Sequence, residues 1–213
     1  GYLTEAANTV GAQFVGAQPQ QGGLDAGRML QGGLKAVILL NNEPAFDTAA
    51  GAAGAAALGQ AEMVVTLSPF KANLDISDVL LPIGSFTETS GTFVNAEGRI
   101  QSFHAVVKPR GEARPAWKVI RVLGNLLGLP GFDFESSQDV LAQVRSGLAA
   151  DATHLPAERL SNAAGARADA ASVSGRAPVT ASIYALDSIV RRAPSLQLTA
   201  DARLAQDAPG AAA

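Results

Sequence analysis

Ala36-Val37-Ile38-Leu39-Leu40 is an unbroken apolar run, closed by Asn41-Asn42-Glu43-Pro44. Such a run predicts a parallel strand buried on both faces. Asp47 or Thr48 is placed to cap a following helix that extends to about Gln60. Gly51 and Gly54 lower the helix propensity of that segment, and they let its backbone lie close against a sheet. Met63-Val64-Val65-Thr66-Leu67 predicts a second strand, and Val79 to Leu81 a third. Strand, helix and strand at this spacing predict a right-handed crossover unit of an α/β fold, a parallel sheet with flanking helices.

The pattern then shortens to period two. Thr92, Phe93 and Val94 suit one strand, and Arg99, Ile100, Gln101 and Phe103 another. Between them, Asn95-Ala96-Glu97-Gly98 fits a type I turn, with Gly98 able to take the left-handed conformation. From Pro115, a favoured opening residue, apolar positions recur at helical spacing: Ala116, Val119, Ile120, Leu123, Leu126 and Leu127. Gly128 and Pro130 stop this helix. Ser136 and Asp139 form a capping box for the next, whose stripe is Val140, Leu141, Val144 and Leu148. Periodicity fades over 149–182, where Ala, Ser, Gly, Asp and Arg dominate, and a flexible linker is expected. Pattern returns over 183–204, and the end of the chain reads as a disordered tail. The expected organisation is a partial domain over 1–148, a linker over 149–182 and a C-terminal docking segment with its tail over 183–213.

Composition narrows the chemistry. The 213 residues contain no Cys, so no thiolate is available to an iron–sulfur cluster and no disulfide can form. The two histidines, His104 and His154, lack the carboxylate spacing of a metal site. No metal ligands and no catalytic residues are assigned. Charged residues make up 16% of the chain, against about 25% in typical soluble domains, so part of the surface is expected to be covered by a partner. The net charge of −3 leaves no overall nucleic-acid footprint. No apolar run reaches the roughly 18 residues that span a bilayer, and no signal peptide is seen. The chain opens on Gly1, and Tyr2 to Asn8 reads like the middle of a helix, so a fragment lacking its upstream portion is expected.

Residues 88–101, Glu-Thr-Ser-Gly-Thr-Phe-Val-Asn-Ala-Glu-Gly-Arg-Ile-Gln, follow Asp78-Val79-Leu80-Leu81-Pro82. This pair resembles a signature of the large cofactor domain of the molybdopterin oxidoreductase family. Tyr184, Asp187 and Arg191 resemble a short C-terminal pattern of one branch of it, the large iron–sulfur subunits of NADH-quinone oxidoreductases (respiratory complex I). The likeness covers residues 1–148 and 183–204, and too few residues remain for the β-barrel that follows in molybdenum enzymes. The resemblance implies the C-terminal part of an NADH dehydrogenase subunit that carries iron–sulfur clusters in its N-terminal portion and relays electrons from NADH toward quinone. It implies a mainly structural fragment with no electron-transfer centre. Its partners would be other peripheral-arm subunits, at the cytoplasmic side of the bacterial inner membrane, without insertion or nucleic acid.

In cofactor-binding members of the family, residues near this hairpin approach a pterin. By that resemblance Thr92, Asn95, Arg99 and Gln101 are the candidate cofactor-binding residues, as a vestigial pterin loop. Thr, Asn and Gln offer neutral hydrogen bonds, and Arg offers a fork suited to phosphate. The competing reading is a hairpin whose polar side chains serve its own backbone. Members that hold the cofactor commonly show Gly-Glu-Asn-Pro at the first strand end. Here Asn41-Asn42-Glu43-Pro44 replaces the glycine and sets a carboxylate beside the proline, which blocks close backbone approach and repels phosphate unless compensated. Bound molybdopterin is therefore not expected. Two alternatives stand: a molybdopterin-dependent, formate-dehydrogenase-like oxidoreductase, or a non-catalytic interaction module.

Other constellations carry less. Gly51-Ala-Ala-Gly54 lacks the spacing of a dinucleotide fingerprint, and close helix packing explains it better. His104 has no substrate partner in sequence. Arg99, Lys108, Arg110, Arg114, Lys118 and Arg121 crowd one stretch, suited to an acidic subunit face or an anionic cofactor, or simply to solvent.

Overall fold

A computed structural model describes residues 7–147 and 182–206. Of the expected linker, only Ser182 lies within the described residues, and the expected tail beyond residue 206 lies outside them. The chain divides into two compact units, one of residues 1–25, 67–71 and 81–167, the other of residues 26–66, 72–80 and 168–213.

The second unit carries most of the α/β core, while residues 67–68 and 81–82 at the ends of two of its strands fall in the first. Strands β1 (Ala36–Leu40), β2 (Met63–Ser68) and β3 (Val79–Pro82) form a parallel three-stranded sheet in the order β1-β2-β3. Helix α2 (Ala26–Met29) precedes β1, and α3 (Pro44–Asp47) and α4 (Gly51–Leu58) join β1 to β2. Val37, Leu39, Leu58 and Val64 are buried together, with Leu30, Leu34, Ala61 and Ile76 packed against them. This is the α/β fold expected from the apolar runs.

Two local expectations need correction. Strand β1 is buried on one face only: Val37 and Leu39 are covered, while Ile38 is 56% and Leu40 45% exposed. The unbroken apolar run marks residues suited to a covered sheet, yet within these described residues helices pack on one side. Nor does Asp47 or Thr48 cap a long helix. The segment breaks into α3 and α4, and Gly51 opens α4 with φ +54°, a left-handed conformation that glycine takes at little steric cost. Asp47 instead closes backward on α3, where its Oδ2 accepts the Glu43 N–H at 2.7 Å. Gly54 meets the Leu30 side chain, where an added Cβ would come within 3.1 Å, rather than the sheet.

The C-terminal segment also lies in this unit, as α7 (Ile183–Leu186), a 3-10 turn (Val190–Arg192), α8 (Pro194–Gln197) and α9 (Ala200–Gln206). The Asp187 carboxylate accepts the backbone N–H groups of Ile189 and Val190 at 2.9 and 2.8 Å, which opens the 3-10 turn. The Gln197 side-chain amide donates to the carbonyls of Tyr184 and Val190 and ties α8 back to this turn.

The first unit holds α1 (Thr9–Phe14), an antiparallel hairpin of β4 (Gly91–Val94) and β5 (Ile100–Phe103), α5 (Ala116–Leu126) and α6 (Ser137–Gly147). The capping box of α6 forms as expected: Ser136 Oγ accepts the Asp139 N–H at 3.1 Å, and Asp139 Oδ2 accepts the Ser136 N–H at 2.8 Å. The hydroxyl and backbone of Ser136 hold the Asp139 carboxyl below its usual pKa. A second box, Ser85 with Glu88, caps a 3-10 turn ahead of the hairpin. Gly124 of α5 lies against the Phe132 ring, where a Cβ would come within 2.5 Å, so the loop after α5 folds back only because no side chain is there.

Candidate functional site

The candidate pterin residues lie on the hairpin of β4 and β5. Its register pairs Thr92 with Ser102, Phe93 with Gln101 and Val94 with Ile100. Side chains alternate across a ribbon, so Thr92 and Ser102 share one face, and Phe93 and Gln101 the other. Thr92 Oγ1 lies 3.0 Å from Ser102 Oγ, and both side chains line a cavity of about 370 Å³ with Phe14, Val94, Ile100 and Trp117. Asn95 sits in the turn. Its Oδ1 accepts the N–H groups of Glu97 and Arg99 at 3.1 and 2.8 Å, and its carbonyl accepts from Gly98, whose φ is +80°. Arg99 and Gln101 are exposed. The four candidates therefore share a hairpin but point to different places: Thr92 into the cavity, Asn95 into its own turn, Arg99 to solvent and Gln101 to the opposite face.

The strand end at Asn41-Asn42-Glu43-Pro44 is different. Ligands of open α/β sheets usually meet the carboxyl ends of the strands. Here Asn41 adopts φ +48°, so an asparagine holds the left-handed turn where the resemblance places glycine. The next carbonyl, of Asn42, accepts from Asn73 Nδ2 at 2.9 Å, and Asn73 is itself left-handed at φ +55°. The buried Thr66 hydroxyl pairs with Ser77 at 2.7 Å. Buried polar groups at this edge are thus largely satisfied by one another.

Glu43 is 7% exposed, an unusual place for a carboxylate without a cation. Two arginines supply it. Arg192 binds it through both terminal nitrogens, Nη1 to Oε1 at 2.8 Å and Nη2 to Oε2 at 2.7 Å, a parallel fork. Arg191 Nη2 lies 2.7 Å from Oε1 of the same carboxylate, and its Nη1 lies 3.2 Å from Asp47 Oδ1. The Arg191 guanidinium also donates to the carbonyls of Ala185 and Leu186 and covers the Phe46 ring at 4.6 Å. Burial pushes the Glu43 carboxyl up, but the hydrogen bonds and charges of Arg192 and Arg191 outweigh it and hold the group below its ordinary value.

This cluster unites features that stand apart in the sequence. Glu43 is there a carboxylate in want of compensation, and Arg191 part of a C-terminal pattern. Sequence reasoning missed their pairing, and it gave Asp47, Phe46 and Arg192 no role in it. The adjacent Arg191-Arg192 pair was the available signal, since two consecutive cations in a segment that packs on the rest of the chain call for acidic partners. The arrangement binds one segment of the chain to the strand end. It contains no nucleophile or general base aimed at open space, and no group of three or more His, Cys, Asp or Glu able to hold a metal occurs among the described residues.

The described residues thus combine a parallel α/β sheet whose first strand end is closed by Glu43 with a polar hairpin later in the chain. The chain belongs to the molybdopterin oxidoreductase family, whose model matches residues 1–126. Among curated proteins it is similar to the mitochondrial NADH-ubiquinone oxidoreductase 78 kDa subunit of Candida albicans, 44% identical over 70 residues, which is 32% of this chain and 10% of that protein. The subunit of the same name from Neurospora crassa is 37% identical over 75 residues, 34% of this chain and 10% of that protein. A nitrate reductase of Shewanella frigidimarina is 27% identical over 117 residues, 54% of this chain and 12% of that protein. The matched stretches thus span about a tenth of the length of these relatives. Among the described residues, no helix is long and apolar enough to cross a membrane.

Proposed function

We propose that this chain is a structural portion of the large iron–sulfur subunit of an NADH-quinone oxidoreductase (respiratory complex I), drawn from the C-terminal part of that subunit. Its role is to support electron transfer from NADH to quinone through iron–sulfur clusters held elsewhere in the parent protein, with no redox centre of its own. The carrying observation is Glu43. A carboxylate at the carboxyl end of β1 would repel a phosphate-bearing cofactor, and its compensating cations come from the chain's own Arg191 and Arg192. Glu43 and Asp47 together match the charge of the two guanidinium groups. The four hairpin candidates add to this reading, because Asn95 is engaged by its own turn and Gln101 lies on the face opposite Thr92. The residues at hand do not fit a bound molybdopterin at this edge. The likeness to two 78 kDa subunits supports the choice of branch. The same reading makes other peripheral-arm subunits its partners and sets it on the cytoplasmic side of the bacterial inner membrane, associated but not inserted.

The test is elemental and pterin analysis of the intact parent protein, purified with its complex. Absence of molybdenum, tungsten and pterin, with iron present and NADH oxidised, is the expected result. Stoichiometric pterin would establish the second reading, a molybdopterin-dependent oxidoreductase. That reading draws on the likeness to a nitrate reductase over 54% of the chain.

A further inference from the structure

Helix α5 presents a face that its own unit leaves uncovered. Lys118, Val122 and Leu126 follow one another at intervals of four, a single stripe along the helix. Lys118 is exposed, Val122 is 47% exposed and Leu126 is 80% exposed. Leu127 and Leu129, just beyond, are 64% and 49% exposed. The stripe forms one wall of a groove of about 690 Å³ that Phe134 and Trp117 also line. Contiguous apolar surface of this kind marks a place where another molecule sits.

The charges at the groove say what sort of molecule. Arg114, Lys118 and Arg121 line it, against Glu135 as the one lining carboxylate, with Arg114 also paired at 3.6 Å to the exposed Glu112 outside the lining. Lys118 rests over the Trp117 ring at 5.4 Å, which holds the ammonium beside the groove. Arg121 has an Nε that is out of solvent and makes no hydrogen bond, so this guanidinium keeps a donor unmatched. An apolar floor rimmed by cations complements a helix with apolar anchors and flanking carboxylates. The groove is concave, which suits side-chain anchors better than a flat lipid surface.

We infer that the α5 groove is a docking site for an acidic amphipathic helix of a partner protein. This goes beyond the structural role proposed above and uses none of the residues around Glu43, so either can fail without the other.

Trp117 is the only tryptophan in the chain and lines both this groove and the hairpin cavity, so its emission reports occupancy of the groove when the response is lost in Leu126→Ser, a residue that lines the groove alone. The probe is a synthetic helical peptide of about 16 residues with leucines on one face and glutamates flanking them, compared with a peptide whose glutamates are replaced by lysines. The purified chain is titrated with each, following Trp117 emission and the anisotropy of a labelled peptide. The acidic peptide is expected to shift the emission and to bind at least about tenfold more tightly than the lysine peptide, with affinity falling as salt rises. Leu126→Ser and Lys118→Glu change exposed residues, and each is expected to weaken the acidic peptide about tenfold while circular dichroism stays unchanged. Equal binding of the two peptides, or no binding, overturns the proposal. So does a Trp117 shift produced only by anionic phosphatidylserine vesicles. Self-association of the chain that Leu126→Ser abolishes would likewise overturn it, in favour of a second copy as occupant.

Discussion

The hairpin of residues 91–103 and the strand end at Glu43 both gather polar side chains, and they satisfy them over very different distances along the chain. On the hairpin, Asn95 serves amides two and four residues away, and Thr92 meets Ser102 ten residues on. At the strand end, Glu43 is matched by Arg192, 149 residues further along the chain. A polar group satisfied by its neighbours keeps its partner in almost any compact state of the chain. One satisfied from so far away has its partner only when the whole unit is formed. The hairpin polar residues therefore read as turn chemistry, and Glu43 as the group whose loss would be felt by the unit as a whole.

The largest expected effect tests that contrast directly. Arg191→Ala leaves the buried Glu43 and the half-buried Asp47 with one fewer cation and should destabilise the second unit by about 3–5 kcal/mol. Urea unfolding measures it, and hydrogen exchange should show the amides of 183–206 losing protection first. A loss no greater than that of a surface substitution would remove the distinction between the two regions. A double-mutant cycle of Glu43→Gln with Arg192→Met should then give a coupling of about 1–3 kcal/mol.

On the hairpin the effects should be smaller. Asn95→Ala removes two hydrogen bonds to exposed turn amides and should cost about 1 kcal/mol, while Arg99→Ala and Gln101→Ala should fall within about 0.5 kcal/mol of the parent. If Arg99 or Gln101 proved as costly as Asn95, the hairpin would hold a contact beyond its own turn.

Acid should act on the strand end. The folded Glu43 carboxyl titrates below its ordinary value of 4.5, so the unfolded chain takes up that proton first as pH falls. Its contribution to stability is present above the unfolded value and is lost as pH drops through the folded one. Stability from urea melts should be level above about pH 5.5 and decline below about pH 4.5, and Glu43→Gln should flatten part of that decline. A Glu43→Gln variant with the same acid slope as the parent would assign the loss to other carboxylates.

The smallest effect concerns Asn41. Its φ of +48° is one that asparagine tolerates and β-branched residues avoid. Asn41→Gly should change stability by less than about 1 kcal/mol, and Asn41→Val should cost about 1–2 kcal/mol. A costly Asn41→Gly would mean that the asparagine side chain, rather than the backbone shape, is what the strand end needs.

Elements whose instructions are local are legible in the order of residues. The Asn95–Gly98 turn, the Ser136–Asp139 capping box and the stop after α5 at Gly128 (φ +68°) each depend on residues within a few positions, and each is where the pattern places it. The break between α3 and α4 is not legible. Asp47 has the chemistry of an N-cap for the next helix as well as of a closing carboxylate for the previous one, and only the φ of +54° at Gly51 decides between them. The burial of β1 is overestimated for a related reason. An apolar run states what a strand can tolerate, and the neighbours that cover it are a matter of packing.

By itself the sequence determined the class of fold, the family and the local punctuation of the elements, because apolar period, caps and turns act over one or two turns of chain. Only the tertiary structure decided that Glu43 and the pair Arg191 and Arg192 satisfy one another, and that α5 leaves a cation-rimmed apolar groove. Nothing in the order of residues sets the distance between groups so far apart along the chain. Coulomb attraction and desolvation depend on that distance and on what else fills the space between, and both are fixed only when the elements pack.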